Sequence, residues 1–208
     1  MPPPIAPAPM ITYLVTVQNP NPVTICSISQ HLLGNQPELM PASRAERPVG
    51  QDRPVPIDVS FRDLEPADLG DLDWSGGAEH LTSIAEVLPL MVADQVEYLV
   101  GELPNGRLVA AGGADLRPEP GAGVLWQLVV HPLLQGLGLG TGLVAALEQR
   151  LAARDLTEAR LSVEHDNPDA ARLYRRLGYR ELGSAVESWP VAGGRRYVTV
   201  TSVLGKRL

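Results

Sequence analysis

The sequence predicts one mixed α/β (α+β) domain over residues 54–208, with a central mixed, mostly antiparallel sheet flanked by helices. Three observations predict it. Two apolar runs, residues 96–102 and 107–111, are joined by Pro104-Asn105-Gly106, a hairpin signal that makes them antiparallel neighbours. A second close pair, residues 184–189 and 197–204, is joined through Gly193-Gly194. Between these pairs lies residues 124–151, which read as strand, glycine-rich turn and amphipathic helix, followed by a short strand at 160–164. A helix linking two strands brings the chain back in the same direction. One parallel pair is therefore expected inside an otherwise antiparallel sheet.

Each element has its own justification. Residues 55–61 alternate as a strand, closed by Arg62-Asp63-Leu64. Glu65-Pro66-Ala67-Asp68 reads as a helix start, with proline in the first turn and acids at the positive end. Its buried face would be Leu69, Leu72 and Trp74, and Ser75-Gly76-Gly77 breaks it. Residues 78–92 form a second helix, with Leu81, Ile84, Ala85, Leu88 and Met91 inward and Pro89 as a kink. Residues 112–123, with four glycines and Pro118 and Pro120, read as loose chain. The strand at 124–130 ends at Pro132, whose nitrogen cannot donate to a ladder. Leu143, Val144, Leu147 and Leu151 then fall at helical spacing. Residues 167–177 form a helix with Ala170, Leu173, Tyr174 and Leu177 on one face, stopped by Gly178. The expected order is β-α-α-β-β-β-α-β-α-β-β.

Residues 1–53 differ in kind. Ten prolines punctuate them, Asn, Gln and Ser fill the gaps, and no amphipathic period lasts two turns. They are expected to form a poorly ordered extension. A docking arm, or a start codon placed ahead of Met10 or Met40, would give the same pattern.

Composition narrows the function. A net charge of −7 argues against a nucleic-acid partner, because phosphate backbones need clustered Lys and Arg. No apolar run approaches the roughly 20 residues of a membrane span. The first basic residue is Arg44, so no signal peptide is expected. The one cysteine, Cys26, cannot form an intramolecular disulfide and fits a reducing compartment. A cytoplasmic location is the expectation. His31, His80, His131 and His165 show no ligand spacing, so no metal is expected.

The chemistry sits at the glycine turn. Gly136, Gly138, Gly140 and Gly142 recur at every second position before the helix. They expose the first helical N–H groups, which lack internal partners and carry the positive end of the helix dipole. Such a site suits a phosphate or pyrophosphate. Gly140-Thr141-Gly142-Leu143-Val144-Ala145 matches the dinucleotide form G-x-G-x-x-A, but residues 131–139 separate it from the strand it should follow. A P-loop would need a lysine after the glycines, and none follows. Tight helix–strand packing is the remaining reading.

At Val130-His131-Pro132-Leu133-Leu134-Gln135-Gly136-Leu137-Gly138-Leu139-Gly140 the chain resembles the acyl-CoA signature of the GNAT superfamily of N-acetyltransferases, Gln/Arg-x-x-Gly-x-Gly/Ala. Gln135, Gly138 and Gly140 fill its defined positions. Residues 167–179, NPDAARLYRRLGY, resemble a second block of that family, Asn-x-x-Ala-x-x-Leu-Tyr-x-x-x-Gly-Phe/Tyr. The resemblance covers residues 55–208 and implies a GNAT fold, in which the parallel strands splay apart at their C-terminal ends. It implies that acetyl-CoA binds as cosubstrate. The backbone N–H groups of Gln135, Gly136, Leu137, Gly138, Leu139, Gly140 and Thr141 would hold the pyrophosphate. The main chain of Leu128, Val129 and Val130 would hold the pantetheine arm, with Asn167, Ala170 and Tyr174 completing the contacts.

The resemblance also implies an acceptor, a primary amine on a small molecule or a peptide, and direct transfer in a ternary complex. Tyr174 is the candidate general acid, since a phenol of pKa about 10 can protonate a departing thiolate of pKa about 8.5. Many relatives place Glu on the central strand where this chain has Gln127, which cannot take a proton. Glu164 is the candidate base, beside Glu102, His131, Glu187 and an ordered water. Acceptor selection is expected from residues 74–88 and 184–196, with Trp74, Glu79, His80, Trp126 and Trp189 as lining candidates. A homodimer is compatible with the resemblance. A non-catalytic acyl-CoA-binding regulator and transfer of a larger acyl group are alternatives.

Overall fold

The computed structural model describes residues 57–191 and 195–208. The extension expected over residues 1–53, with Cys26 and His31, and the Gly193-Gly194 turn lie outside the described residues. The chain forms β1 (Ser60–Asp63), two 3₁₀ turns (Pro66–Asp71 and Asp73–Ser75), α1 (Ala78–Ala85), α2 (Val87–Val92), β2 (Val96–Glu102), β3 (Leu108–Asp115) and β4 (Ala122–Val130). A 3₁₀ turn (Pro132–Leu134) then leads to α3 (Leu139–Ala152), β5 (Glu158–Glu164), α4 (Pro168–Arg176), β6 (Arg180–Val191) and β7 (Arg195–Arg207).

The strands build one seven-stranded sheet in the order β1-β2-β3-β4-β5-β7-β6. Every neighbouring pair is antiparallel except β4 and β5, which α3 joins in parallel. This is the mixed, mostly antiparallel sheet expected from the connections. One face packs against α3 and α4 through Leu128, Val130, Leu143, Leu147, Leu161, Val163 and Leu173. The other packs against α1 and α2 through Tyr98, Val100, Trp126, Val129, Ile84 and Val87. Ion pairs fasten α3 to the chain around β2: Arg150 reaches Asp63 at 2.7 Å, and Arg154 reaches Glu97 at 2.5 Å and Asp94 at 2.6 Å.

Several elements differ from the sequence expectation, and β6 and β7 also run longer than expected. The first strand lies later, so Arg62 and Asp63 pair within it. The helix expected from Glu65 is two 3₁₀ turns, the first closed by a capping box between Glu65 and Asp68. The helix expected over 78–92 divides at Glu86. Pro89 has no N–H for the Ala85 carbonyl and its ring crowds that carbonyl, so the α1 ladder cannot continue through it. Residues 112–115 continue β3 and are not loose chain. A Cβ at Gly112 would lie 2.6 Å from Leu128 Cδ2 and 3.1 Å from Leu128 Cα. That glycine admits the neighbouring strand and does not mark a turn.

Candidate acyl-CoA and acceptor site

The parallel pair is short. β4 and β5 are in register only from Ala122 opposite Glu158 to Val124 opposite Arg160. β4 then runs on to Val130 and β5 to Glu164 with no ladder between them. β5 stays paired with β7 throughout, down to Glu164 opposite Thr201. The sheet therefore parts between two strands whose outer edges remain held. An extended chain fits such a gap because main-chain donors and acceptors face it.

A bulge in β4 sits beside the gap. Two steps on β3, Ala111 to Gly113, correspond to three on β4, Val129 to Trp126. Gln127 takes up the extra residue with φ 49°, a left-handed conformation rare outside glycine. Its Nε2 donates to Ser83 Oγ on α1 at 2.9 Å, while its Oε1 is buried and accepts no hydrogen bond. The bulge also keeps Trp126 and Val129 on the α1 face and Leu128 and Val130 on the α3 face.

The glycine turn closes the C-terminal end of the gap. Gln135 Nε2 donates to Val130 O at 3.1 Å and holds the loop against the strand end. Gly136 and Gly138 have φ 77° and 87°, and Gly138 is the N-cap of α3. The first helical bond of α3 runs from Gly142 N to Gly138 O at 3.0 Å. The N–H groups of Leu139, Gly140 and Thr141 thus have no helical acceptor, and Gly136, Leu137, Gly138 and Thr141 are exposed around them. Fourteen residues of α3 stand behind this end and add their dipole. The arrangement can hold a pyrophosphate.

Asn167 follows β5 directly and caps α4, its Oδ1 accepting from Ala170 N at 3.2 Å. Its Nδ2 is buried with no acceptor, a donor left over for a ligand. Ala170 and Tyr174 are fully buried on the inner face of α4. The Tyr174 ring packs edge-on against Tyr179 at 5.8 Å. Burial, with Glu148 nearby, pushes the Tyr179 phenol above its ordinary value.

The α1 side of the gap is polar. Leu161 and Val163 face the α3 core, so by alternation Ser162 and Glu164 point to the α1 side. Glu164 is 4% exposed and Glu187 on β6 is 5% exposed. Thr201 lies between them, opposite Glu164 in register and donating from Oγ1 to Glu187 Oε1 at 3.2 Å. Burial raises the Glu187 pKa, and hydrogen bonds from Ser162 and Thr201 oppose that shift. Outward along the same face, Tyr197 pairs with Trp189, rings 4.5 Å apart.

Other candidates serve the fold. Glu102 pairs with Arg62 at 2.6 Å, and Arg62 with Asp68 at 2.7 Å, which holds the Asp68 carboxyl below its usual range. His131 Nδ1 accepts from Leu133 N at 3.3 Å within the turn, and its ring lies 5.2 Å from Trp74. Trp126 and His80 are core residues, each 1% exposed. Ser162, Thr201 and Tyr197 were not expected at the site, and Ser83 only as part of the 74–88 stretch. Only strand register and the packing of α1 on the sheet bring them there. Among the described residues no cluster of His, Cys, Asp or Glu could hold a metal ion, and no helix is long and apolar enough to cross a membrane.

The chain is similar to known acetyltransferases. The profile of the acetyltransferase (GNAT) family matches residues 67–179. A mycothiol acetyltransferase of Clavibacter michiganensis subsp. michiganensis is 39% identical over 94 residues, 45% of this chain and 30% of that protein. One from Actinosynnema mirum is 32% identical over 145 residues, 64% of this chain and 48% of that protein. The chain thus spans less than half the length of these relatives. A crystal structure of spermidine N-acetyltransferase from Vibrio cholerae in complex with CoA and spermine superposes with a TM-score of 0.55 at 22% identity, over 72% of this chain and 95% of that one. At that identity the likeness concerns the fold.

Proposed function

The chain belongs to the acetyltransferase (GNAT) family, and on that premise we propose that it moves the acetyl group of acetyl-CoA directly to a primary amine within a ternary complex. The observation that carries this reading is the parting of β4 from β5 beyond Val124 and Arg160, directly beside the glycine turn. The N–H groups from Gln135 to Thr141 hold the pyrophosphate. The main-chain edge at Leu128, Val129 and Val130 pairs with the pantetheine arm as an added strand would, and Asn167 Nδ2 donates to it. Ala170 keeps the α4 wall small there.

Transfer needs three proton movements. An alkylammonium has a pKa near 10.4 and must lose a proton before its nitrogen can attack. Glu164, at the end of β5 on the α1 side, takes that proton. A C–N bond forms at the thioester carbonyl carbon, the C–S bond breaks with its electron pair on sulfur, the Tyr174 hydroxyl protonates the thiolate, and the second proton leaving the nitrogen restores the phenol. A positioned acid of this kind is typically worth roughly 10²–10⁴ in rate. Tyr174→Phe is expected to lower kcat at least about tenfold with CoA affinity and melting temperature retained. The assay is release of free CoA thiol from acetyl-CoA across a panel of peptides, polyamines, amino acids and aminoglycosides. An unchanged kcat removes Tyr174 from the chemistry. Gln127 favours a second reading, a CoA-binding regulator without turnover, because an amide stands where a base would serve. CoA binding by calorimetry, with no thiol released on any acceptor, selects it.

A further inference from the structure

The bulge in β4 decides what the strand presents to the gap. Side chains alternate between the two faces of a strand, and main-chain N–H and C=O groups alternate between its two edges. One extra residue inverts both alternations for everything beyond it. The extra residue is Gln127, and Leu128, Val129 and Val130 lie beyond it. Trp126 is on the α1 face, and Leu128, two residues on, is on the α3 face. A regular strand would put both on one face. Loss of the bulge would therefore turn Leu128 and Val130 toward α1 and Val129 toward α3, and would exchange the main-chain groups that line the gap.

β3 makes room for the bulge without holding it. A Cβ at Gly112 would lie 2.6 Å from Leu128 Cδ2, and one at Gly113 would lie 2.6 Å from Tyr98 Cδ2 and 3.3 Å from Trp126 Cε2. The two missing side chains admit Leu128 on one face and Trp126 on the other. Neither compels the φ of 49° at Gln127. A residue with a Cβ is disfavoured there, whereas glycine is not. Among the described residues the Gln127 side chain makes one hydrogen bond, from Nε2 to Ser83 Oγ at 2.9 Å, which reaches 44 residues back to α1. Ser83 is firmly placed, because His80 and Ile84 beside it on the helix are 1% and 0% exposed. The strain of a left-handed residue and the return from one hydrogen bond are of the same order. The tie to α1 is thus strong enough to decide whether the bulge holds.

We propose that Ser83 is a positioning residue for the acyl donor: its hydrogen bond holds Gln127 in the bulge, and the bulge sets the side chains and main-chain groups that Leu128, Val129 and Val130 turn to the gap. Ser83 acts through Gln127 and touches neither the donor nor the reacting atoms. This inference rests on the acyl-CoA reading of the gap.

The test is CoA binding by calorimetry, which involves no acceptor and no turnover. The proteins are the wild type, Ser83→Ala, Ser83→Thr, Gln127→Gly and the double variant Ser83→Ala with Gln127→Gly, each with its melting temperature. Ser83→Ala should bind CoA about threefold to tenfold more weakly, the range of one hydrogen bond. Ser83→Thr keeps the hydroxyl and should bind as the wild type does. Glycine takes a left-handed φ without strain. Gln127→Gly should therefore hold the bulge unaided, and adding Ser83→Ala to it should cost no CoA affinity. A serine that only stabilises the fold would lower the melting temperature and leave affinity unchanged, or would weaken binding equally in both backgrounds. Either result overturns the proposal and leaves the acyl-CoA reading intact. No CoA binding to the wild type ends that reading and the proposal with it. If Ser83→Ala does not fold, the Gln127→Gly pair decides: equal affinity at the wild-type level supports the role, and a further loss in the double variant overturns it.

Discussion

Acidification should loosen α1 through one residue, His80. Its side chain is 1% exposed, and neither ring nitrogen makes a hydrogen bond. Gly76 lies so close that a Cβ there would be 2.7 Å from His80 Cδ2. Burial lowers the imidazole pKa from 6.5 to about 4. The folded protein therefore keeps His80 neutral, while the unfolded chain takes up a proton below 6.5. A depressed folded pKa contributes stability that is fully present above the unfolded value and is lost as the pH falls toward the folded one. At 1.36 kcal/mol per pKa unit, the full loss is about 3 kcal/mol. Between about pH 7.5 and about pH 5 the same linkage removes about 2 kcal/mol. The comparison is urea unfolding across that range for the wild type and His80→Leu. Leucine retains the apolar volume and cannot titrate, so the variant should lose about 2 kcal/mol less than the wild type over the interval. Carboxylates titrate in both proteins and cancel in the difference. Equal losses would show that His80 is hydrated or paired, and would refute the argument. Because Ser83 on the same helix binds Gln127, turnover should fall over the same pH range in the wild type and less steeply in the variant.

Three further outcomes follow from the site. Gly138→Ala places a Cβ at φ 87°; it should cost about 1 kcal/mol in thermal unfolding and weaken CoA binding in calorimetry about tenfold. Asn167→Ala removes the α4 N-cap and should cost about 1 kcal/mol; Asn167→Asp keeps the capping oxygen and loses the donor, so a loss of CoA affinity equal to that of Asn167→Ala, with stability retained, would separate the Nδ2 role from the cap. Gln127→Glu puts a carboxyl where a buried amide now donates to Ser83, so stability should fall at neutral pH and recover in acid, as followed by melting temperature from about pH 5 to about pH 8.

The sheet was legible where its signals are local. An apolar run ending at Pro132, alternate glycines and a periodic helix sit within thirty residues, and their connection alone requires the parallel pair. Residues 112–115 were misread because glycine has two uses. The one that applies here, room for Leu128 from the next strand, depends on a contact sixteen residues away. Glu102 was a reasonable base until Arg62, forty residues earlier, was found against it. Nothing near Gln127 marks it as a bulge, since no proline or glycine forces the left-handed turn. The Glu164–Thr201–Glu187 row depends on how β5, β7 and β6 register, which no single segment encodes.

Gln127 is the residue through which these pieces fit together. A carboxylate at its place would lie against Ser83, with no Arg or Lys in the facing segment from Asp63 to Gly106 to balance it. Burial without a cation raises a carboxyl's pKa and keeps it protonated, which makes it a poor base. The amide avoids that conflict. Its Nε2 ties the bulge to α1 through Ser83, which a carboxylate could not do as donor, and its Oε1 remains for an incoming N–H. In the proposed mechanism proton removal then falls to the strand beyond the gap, where Glu164 stands. The departure from the family's pattern at Gln127 thus goes with a proposed base on β5 in place of one on β4.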